Sequence, residues 1–159
     1  MRIALGSDHA GVQLKNELKN AFGKSYLAGT VKHTYVDFGT DSTASVDYPI
    51  FAQQVAEGVA SGVFERGILV CGSGVGMSIA ANKVTGVRAA LVHDVESARL
   101  CREHNNANVL ALAGRTLAYE TADEIVQTFL STPFAGGRHQ RRIDKITAIE
   151  KKRSETSDE

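Results

Sequence analysis

Short apolar runs alternate along the chain with stretches whose apolar residues recur at helical spacing. Ile3-Ala4-Leu5 predicts a first strand, and Leu14, Leu18, Ala21 and Phe22 then share one face of a helix, the i, i+4, i+7, i+8 signature. Gly23 to Lys32 is polar and Gly-bearing and reads as a connection, and Thr34 to Phe38 as a second strand. A loop from Gly39 to Tyr48 leads to Pro49, which suits the first turn of a helix carrying Phe51, Val55, Ala56 and Val59. Ile68-Leu69-Val70-Cys71 is continuously apolar, as expected of a strand buried on both faces. It stops at Gly72-Ser73-Gly74-Val75-Gly76 and passes into a helix from Met77 to Lys83. Val87 to Val92 (strand), Asp94 to Glu103 (helix), Val109 to Ala113 (strand) and Ala118 to Leu130 (helix) follow, and after Gly136-Gly137 a last helix carries Ile143, Ile146 and Ile149. Strands alternating with helices of this length predict βαβ units and a parallel sheet. The expected fold is α/β: one Rossmann-like three-layer domain over residues 1–153, with a five-stranded parallel sheet and a C-terminal helical extension. Residues 154–159 read as a polar, frayed tail.

A length of 159 residues suits one compact domain. Hydrophobic residues at 43% and charged residues at 23% are ordinary for a globular protein. Eighteen Lys and Arg balance eighteen Asp and Glu, which argues against a general nucleic-acid binder. The two cysteines, Cys71 and Cys101, fit neither C-x-x-C nor a zinc spacing. Reduced thiols in the cytoplasm are the expectation. The N-terminus reads as no signal peptide, and no apolar run approaches the ~20 residues of a membrane span.

In an open parallel sheet, ligands bind beyond the carboxyl ends of the strands. That directs attention to Ser7-Asp8-His9, Cys71 to Gly76, His93-Asp94 and Gly114-Arg115. Glycines at 72, 74 and 76 let successive amide N–H groups converge on an anion at a helix N-terminus. A thiol at that turn would have its thiolate stabilised by the same field. A tight turn beside a buried, apolar Cys71 accounts for the pattern equally well. The turn is no dinucleotide fingerprint, since Ser78 closes the frame that starts at Gly72. Nor is it a cysteine-phosphatase loop, since Met77 stands where Arg is needed, and Gly23-Lys24-Ser25 lacks the first glycine of a P-loop. Asp8 and His9 suit either sugar hydroxyls or a plain helix cap. His104 ends a helix, and Asn105, Asn106 and Asn108 follow as either a turn or a hydroxyl-binding rim. Arg138 and Arg142, at i and i+4, open a helix where cations oppose the macrodipole. A bound phosphate would offset that cost, with Arg115 as a third clamp member; a solvated basic face is the alternative.

Together these blocks resemble the sugar-phosphate isomerase family that contains ribose-5-phosphate isomerase type B and the galactose-6-phosphate isomerase subunits. The resemblance runs from Ile3 to about Arg153. It rests on Gly6-Ser7-Asp8-His9, Asp47-Tyr48-Pro49, Cys71 to Gly76 with Ser78 to Lys83, His104-Asn105, Asn108-Val109, and Gly137 to Gln140 with Arg142. It implies a metal-free, cofactor-free interconversion of D-ribose 5-phosphate and D-ribulose 5-phosphate through a cis-enediolate, a step of the pentose phosphate pathway. It further implies a homodimer with active sites at the subunit interface, with pairing into a tetramer left open. Carried over by position, Cys71 is the general base, Ser73 bonds the reacting oxygens and His104 opens the furanose ring. The amides of Gly72, Gly74, Val75 and Gly76 hold the oxyanion, and Asp8 and His9 hold hydroxyls. Asn105, Arg115, Arg138, His139 and Arg142 bind substrate, the arginines nearest the phosphate. Met77 occupies the place where some relatives carry a catalytic carboxylate, which leaves Cys71 as the candidate base. Ser73 stands where many members carry Thr. Three readings compete: a six-carbon substrate such as allose or galactose 6-phosphate, a non-catalytic sugar-phosphate-binding module, and a thiol redox sensor using Cys71.

Overall fold

The structure, a computed structural model, describes residues 1–27 and 33–155. Five strands, β1 (Arg2–Ser7), β2 (Thr34–Asp37), β3 (Arg66–Cys71), β4 (Ala89–Leu91) and β5 (Val109–Ala113), pair in parallel in the order β2-β1-β3-β5-β4. Six helices intervene or follow: α1 (Val12–Leu27), α2 (Tyr48–Ala60), α3 (Val75–Ala81), α4 (Val95–Glu103), α5 (Tyr119–Ser131) and α6 (Arg138–Glu155). Alternate residues of the central strands feed two cores. On one face Ile3, Leu5, Ile68, Val70, Leu110 and Leu112 pack under α1, α4 and α5. On the other, Ala4, Leu69, Cys71, Val109 and Ala111 pack under α2 and α3. The three-layer α/β expectation holds, and burial on both faces explains why β3 and β5 carry unbroken apolar runs.

Most boundaries move by a residue or two, α6 continues to Glu155 into the stretch expected as a frayed tail, and of three further shifts two have a clear local cause. α1 continues to Leu27, so the connection assigned from Gly23 begins later; residues 28–32 lie outside the described residues. β4 is limited to Ala89–Leu91 because side chains, not strand partners, take its leading amides. Arg88 N–H donates to Asn108 Oδ1 (2.8 Å) and Ala89 N–H to Asn82 Oδ1 (2.8 Å). α3 starts at Val75, ahead of Met77, because Gly74 adopts φ +76° as its N-cap. A side chain at Gly74 would be strained there and would also meet Leu91 Cδ1 at 2.5 Å.

The apolar pattern of α1 conceals one charged residue. Lys15 is fully buried, and its Nζ lies 3.0 Å from Asp37 Oδ2 and 2.6 Å from the carbonyl oxygen of Thr40. Lys19 bonds the same Asp37 oxygen at 2.8 Å. Burial pushes the Asp37 carboxyl up, but bonds from Lys19, the Gly39 amide and Lys15 outweigh it and hold the group below 3.8. The stability this gives is therefore full above that ordinary value and is lost as pH falls through the depressed one. Urea unfolding of wild type and Asp37→Asn is expected to show a constant gap at neutral pH. The gap should shrink only below about pH 4.

Candidate active site

Where β3 ends, the chain must turn sharply into α3, and Gly74 permits it. The turn leaves Cys71 almost buried, with Gly74 N–H donating to its Sγ at 3.2 Å. An amide aimed at sulfur is accepted more strongly by a thiolate than by a thiol. β5 ends beside it, Gly114 N–H donating to Cys71 O (2.7 Å) and Arg115 N–H to Gly72 O (3.2 Å). The Arg115 guanidinium then lies against Gly72, where an added Cβ would be 3.3 Å from Nη1. Asp8 enters from the end of β1, and a cleft of about 500 Å³ opens among Asp8, Cys71, Ser73, Gly76 and Arg115. Met77 is fully buried in the lower core, so that position offers the cleft no group.

The glycine turn differs from the expected open ring of amides. Gly74 N–H is committed to Cys71 Sγ, and Val75 N–H turns onto Ser73 Oγ at 3.3 Å. Asp8 serves the backbone and faces the cleft at once. Its Oδ1 accepts from the amides of Ala10 (3.0 Å) and Gly11 (3.1 Å), as a cap does, while the residue also lines the cleft. His9 Nδ1 accepts from Val46 N–H at 3.2 Å, which assigns the proton of the neutral ring to Nε2.

The remaining expected residues form a second cluster elsewhere. α4 runs back from the carboxyl ends of the strands, capped at its start by Asp94, and ends at His104. β5 then begins at Val109, opposite Gly67, whereas Cys71 lies opposite Ala113. His104 thus precedes the amino end of β5, whose first residue lies about 13 Å of strand from the level of Cys71. His139, near the start of α6, stacks on His104 with ring centroids 4.2 Å apart and planes 15° apart. Burial, then His104, Arg138 and Arg142, push the His139 imidazole below 6.5. Arg99 is held between Glu96 and Glu103, whereas Arg138 and Arg142 make no ion pair among the described residues. A corner with two exposed arginines outside any ion pair among the described residues results, with the Glu103 carboxylate acting on His139 from α4.

Within one chain Arg115 lines the Cys71 cleft, apart from Arg138 and Arg142. Asn106 and Asn108 are structural rather than a hydroxyl-binding rim. Asn106 Oδ1 accepts from the buried Arg102, and Asn108 bridges Arg88 N–H and Gly86 O. Asn105 borders a separate cavity of about 420 Å³ between β4 and the α6 residues Ile146 and Ile149. Cys101 borders it too, and burial pushes its thiol up to about 11. It packs in the core on the opposite face of the sheet from Cys71, a placement unsuited to resolving an oxidised form of it.

Three cleft residues with polar side chains received no role from sequence: Tyr48, His93 and Thr116. Tyr48 covers the glycine turn so closely that a Cβ on Gly76 would come 2.6 Å from its ring. Its presence in Asp47-Tyr48-Pro49, and that of His93 at a strand end, were usable signals; Thr116 had none. Among the described residues, no group of three or more His, Cys, Asp or Glu side chains could hold a metal ion. No helix there is long and apolar enough to cross a membrane.

A parallel sheet with a nearly buried cysteine at the end of its central strand, beside a glycine turn and an arginine, is the α/β arrangement expected above. Residues 3–146 match the family described as Ribose/Galactose Isomerase. Ribose-5-phosphate isomerase B of Escherichia coli is 45% identical over 155 residues, covering 96% of this chain and 99% of that protein. The solved ribose-5-phosphate isomerase B of Clostridium thermocellum superposes with a TM-score of 0.90 at 49% identity, over 96% of this chain and 99% of that one. The Mycoplasma genitalium enzyme, solved with bound ribulose 5-phosphate, gives 0.84 at 44% identity, over 94% and 96%. The chain belongs to the ribose/galactose isomerase family.

Proposed function

We propose that this protein interconverts D-ribose 5-phosphate and D-ribulose 5-phosphate, with Cys71 as the general base. The observation that carries the assignment is the amide donor on Cys71 Sγ inside a cleft that also holds Asp8 and Arg115. In the opened aldose, Cys71 removes the C2 proton, leaving a cis-enediolate. The same sulfur returns the proton to C1, while a proton moves from the C2 hydroxyl to the C1 oxygen. Arg115, Ser73 and the unbonded amides of the turn stabilise the oxygen on which charge develops, because fixed donors there need no reorganisation. Asp8 and the Nε2–H of His9 hold hydroxyls.

The phosphate site is the His139, Arg138 and Arg142 corner, with His104 and Asn105 beside it. Two arginine forks at a helix start are stabilised by an anion and opposed by the macrodipole without one. Because that corner and the Cys71 cleft lie towards opposite ends of the sheet, one chain does not close a site alone. A homodimer joins one copy's cleft to the other's arginines by an isologous contact. The exposed Ile146 and Ile149 on α6 and Ile79 on α3 suit such a contact. The two buried, unpaired cysteines suit a cytoplasmic setting.

The test is turnover of ribose 5-phosphate by the purified protein, with allose and galactose 6-phosphates in competition. A kcat/KM greatest for the five-carbon substrate supports the assignment. Preference for a six-carbon phosphate would move the substrate while keeping the chemistry. Thermal stabilisation without product would leave a binding module.

A further inference from the structure

A fully buried lysine is uncommon and needs a structural reason. Neutralising Asp37 does not supply it, since the less buried Lys19 already bonds that carboxylate at 2.8 Å. Lys15 differs from Lys19 in reaching past Asp37 to the loop that joins β2 to α2. Its shortest bond is to Thr40 O at 2.6 Å, and Asp41 Oδ1 lies 3.4 Å away. The loop passes tightly there, for a Cβ on Gly39 would meet Ser7 N at 2.4 Å and Lys15 Nζ at 3.0 Å. Beyond Thr40, residues 41–45 are all exposed. Past Asp41 the bonds are local: Ser42 N–H to Thr40 Oγ1 and Ala44 N–H to Ser42 Oγ. The next tie to another element is Val46 N–H on His9 Nδ1 at 3.2 Å. Tyr48, over the glycine turn, follows two residues later.

We infer that Lys15 is a positioning residue: together with the Thr40 N–H bond to Ser7 O (3.1 Å), it fixes the start of this loop at Thr40 and Asp41, and so places Val46 N–H on His9 Nδ1. That contact keeps the His9 proton on Nε2, the nitrogen left to meet a substrate hydroxyl. The loop is an exposed span between two anchors, so its far end is only as well placed as its near end. Lys15 touches no reacting atom. The inference rests on the reading of His9 as a substrate ligand, while its structural half concerns the free protein.

Lys15→Met and Lys19→Met, made in the full chain, separate anchoring from charge pairing. Nitrogen-15 spectra of the histidines in the free protein report the His9 tautomer, and steady-state kinetics report its consequence. In Lys15→Met, the His9 signal is expected to move from the Nε2–H form to a mixture of tautomers. KM for ribose 5-phosphate should rise at least about fivefold, with kcat changed less, a loss of orientation rather than of chemistry. Lys19→Met should leave both unchanged. A wild-type His9 signal and KM in Lys15→Met, or the same changes in Lys19→Met, would overturn the inference. Should Lys15→Met fail to fold, Val46→Pro removes the donor at the far end with Lys15 intact. It is expected to give the tautomer mixture, and an unchanged His9 signal there overturns the inference too. If the wild type does not turn over ribose 5-phosphate, the tautomer result still decides the anchoring role, and only the functional reading falls.

Discussion

Cys71→Ala is expected to lower kcat for ribose 5-phosphate by about 10²- to 10⁴-fold, the usual contribution of a general base. Substrate binding should survive. The sulfur lines the cleft, whereas the proposed function draws its binding energy from Asp8, Arg115 and the arginine corner. Substrate should therefore still raise the melting temperature of the variant. Cys71→Ser tests the same point without opening a cavity, since a hydroxyl of similar shape cannot accept a carbon-bound proton near neutral pH. It should be as inactive as the alanine variant. No other side chain in the turn takes over, because Met77 is buried and apolar. Turnover within tenfold of wild type in both variants would remove Cys71 from the mechanism.

The paired change Arg138→Ala and Arg142→Ala should reduce kcat/KM by about 10²- to 10⁴-fold, from roughly 1.5–3 kcal/mol per charged hydrogen bond lost. The loss should be specific to the phosphate. Activity on unphosphorylated ribose, measured at high concentration, is expected to be unchanged. Both side chains are exposed and lack ion-pair partners among the described residues, and both stand in the first turns of α6, where a cation is unfavourable. The melting temperature should therefore hold or rise slightly while catalysis collapses. A parallel fall in stability and in activity on ribose would show a structural role instead.

Periodicity located most elements because the fold buries its central strands on both faces. β3 and β5 read as unbroken apolar runs for that reason, and their carboxyl ends led directly to Cys71 and Arg115. Boundaries moved where single side chains override pattern: Gly74 starts α3 early by its positive φ, and Asn82 and Asn108 shorten β4 by taking its amides. Lys15 was illegible, since a lysine among apolar residues normally marks an exposed face and its partners lie more than twenty residues away. Asp8 both accepts the amides of Ala10 and Gly11 just ahead of α1 and lines the cleft, a placement that pattern alone did not give. The distance between Cys71 and His104 was also invisible, because motif order along a chain does not say at which end of a sheet each motif emerges. That separation makes the shared site necessary to the account.

Mixing two inactive proteins tests this claim most directly. Cys71→Ala carries intact arginines, and the Arg138→Ala, Arg142→Ala protein carries an intact cysteine. After dissociation and reassociation of equal amounts, half the dimers are mixed, and each has one site with every residue present. Specific activity is expected to return to about a quarter of wild type. Activity that stays at the level of the two separate variants would contradict a site shared between copies.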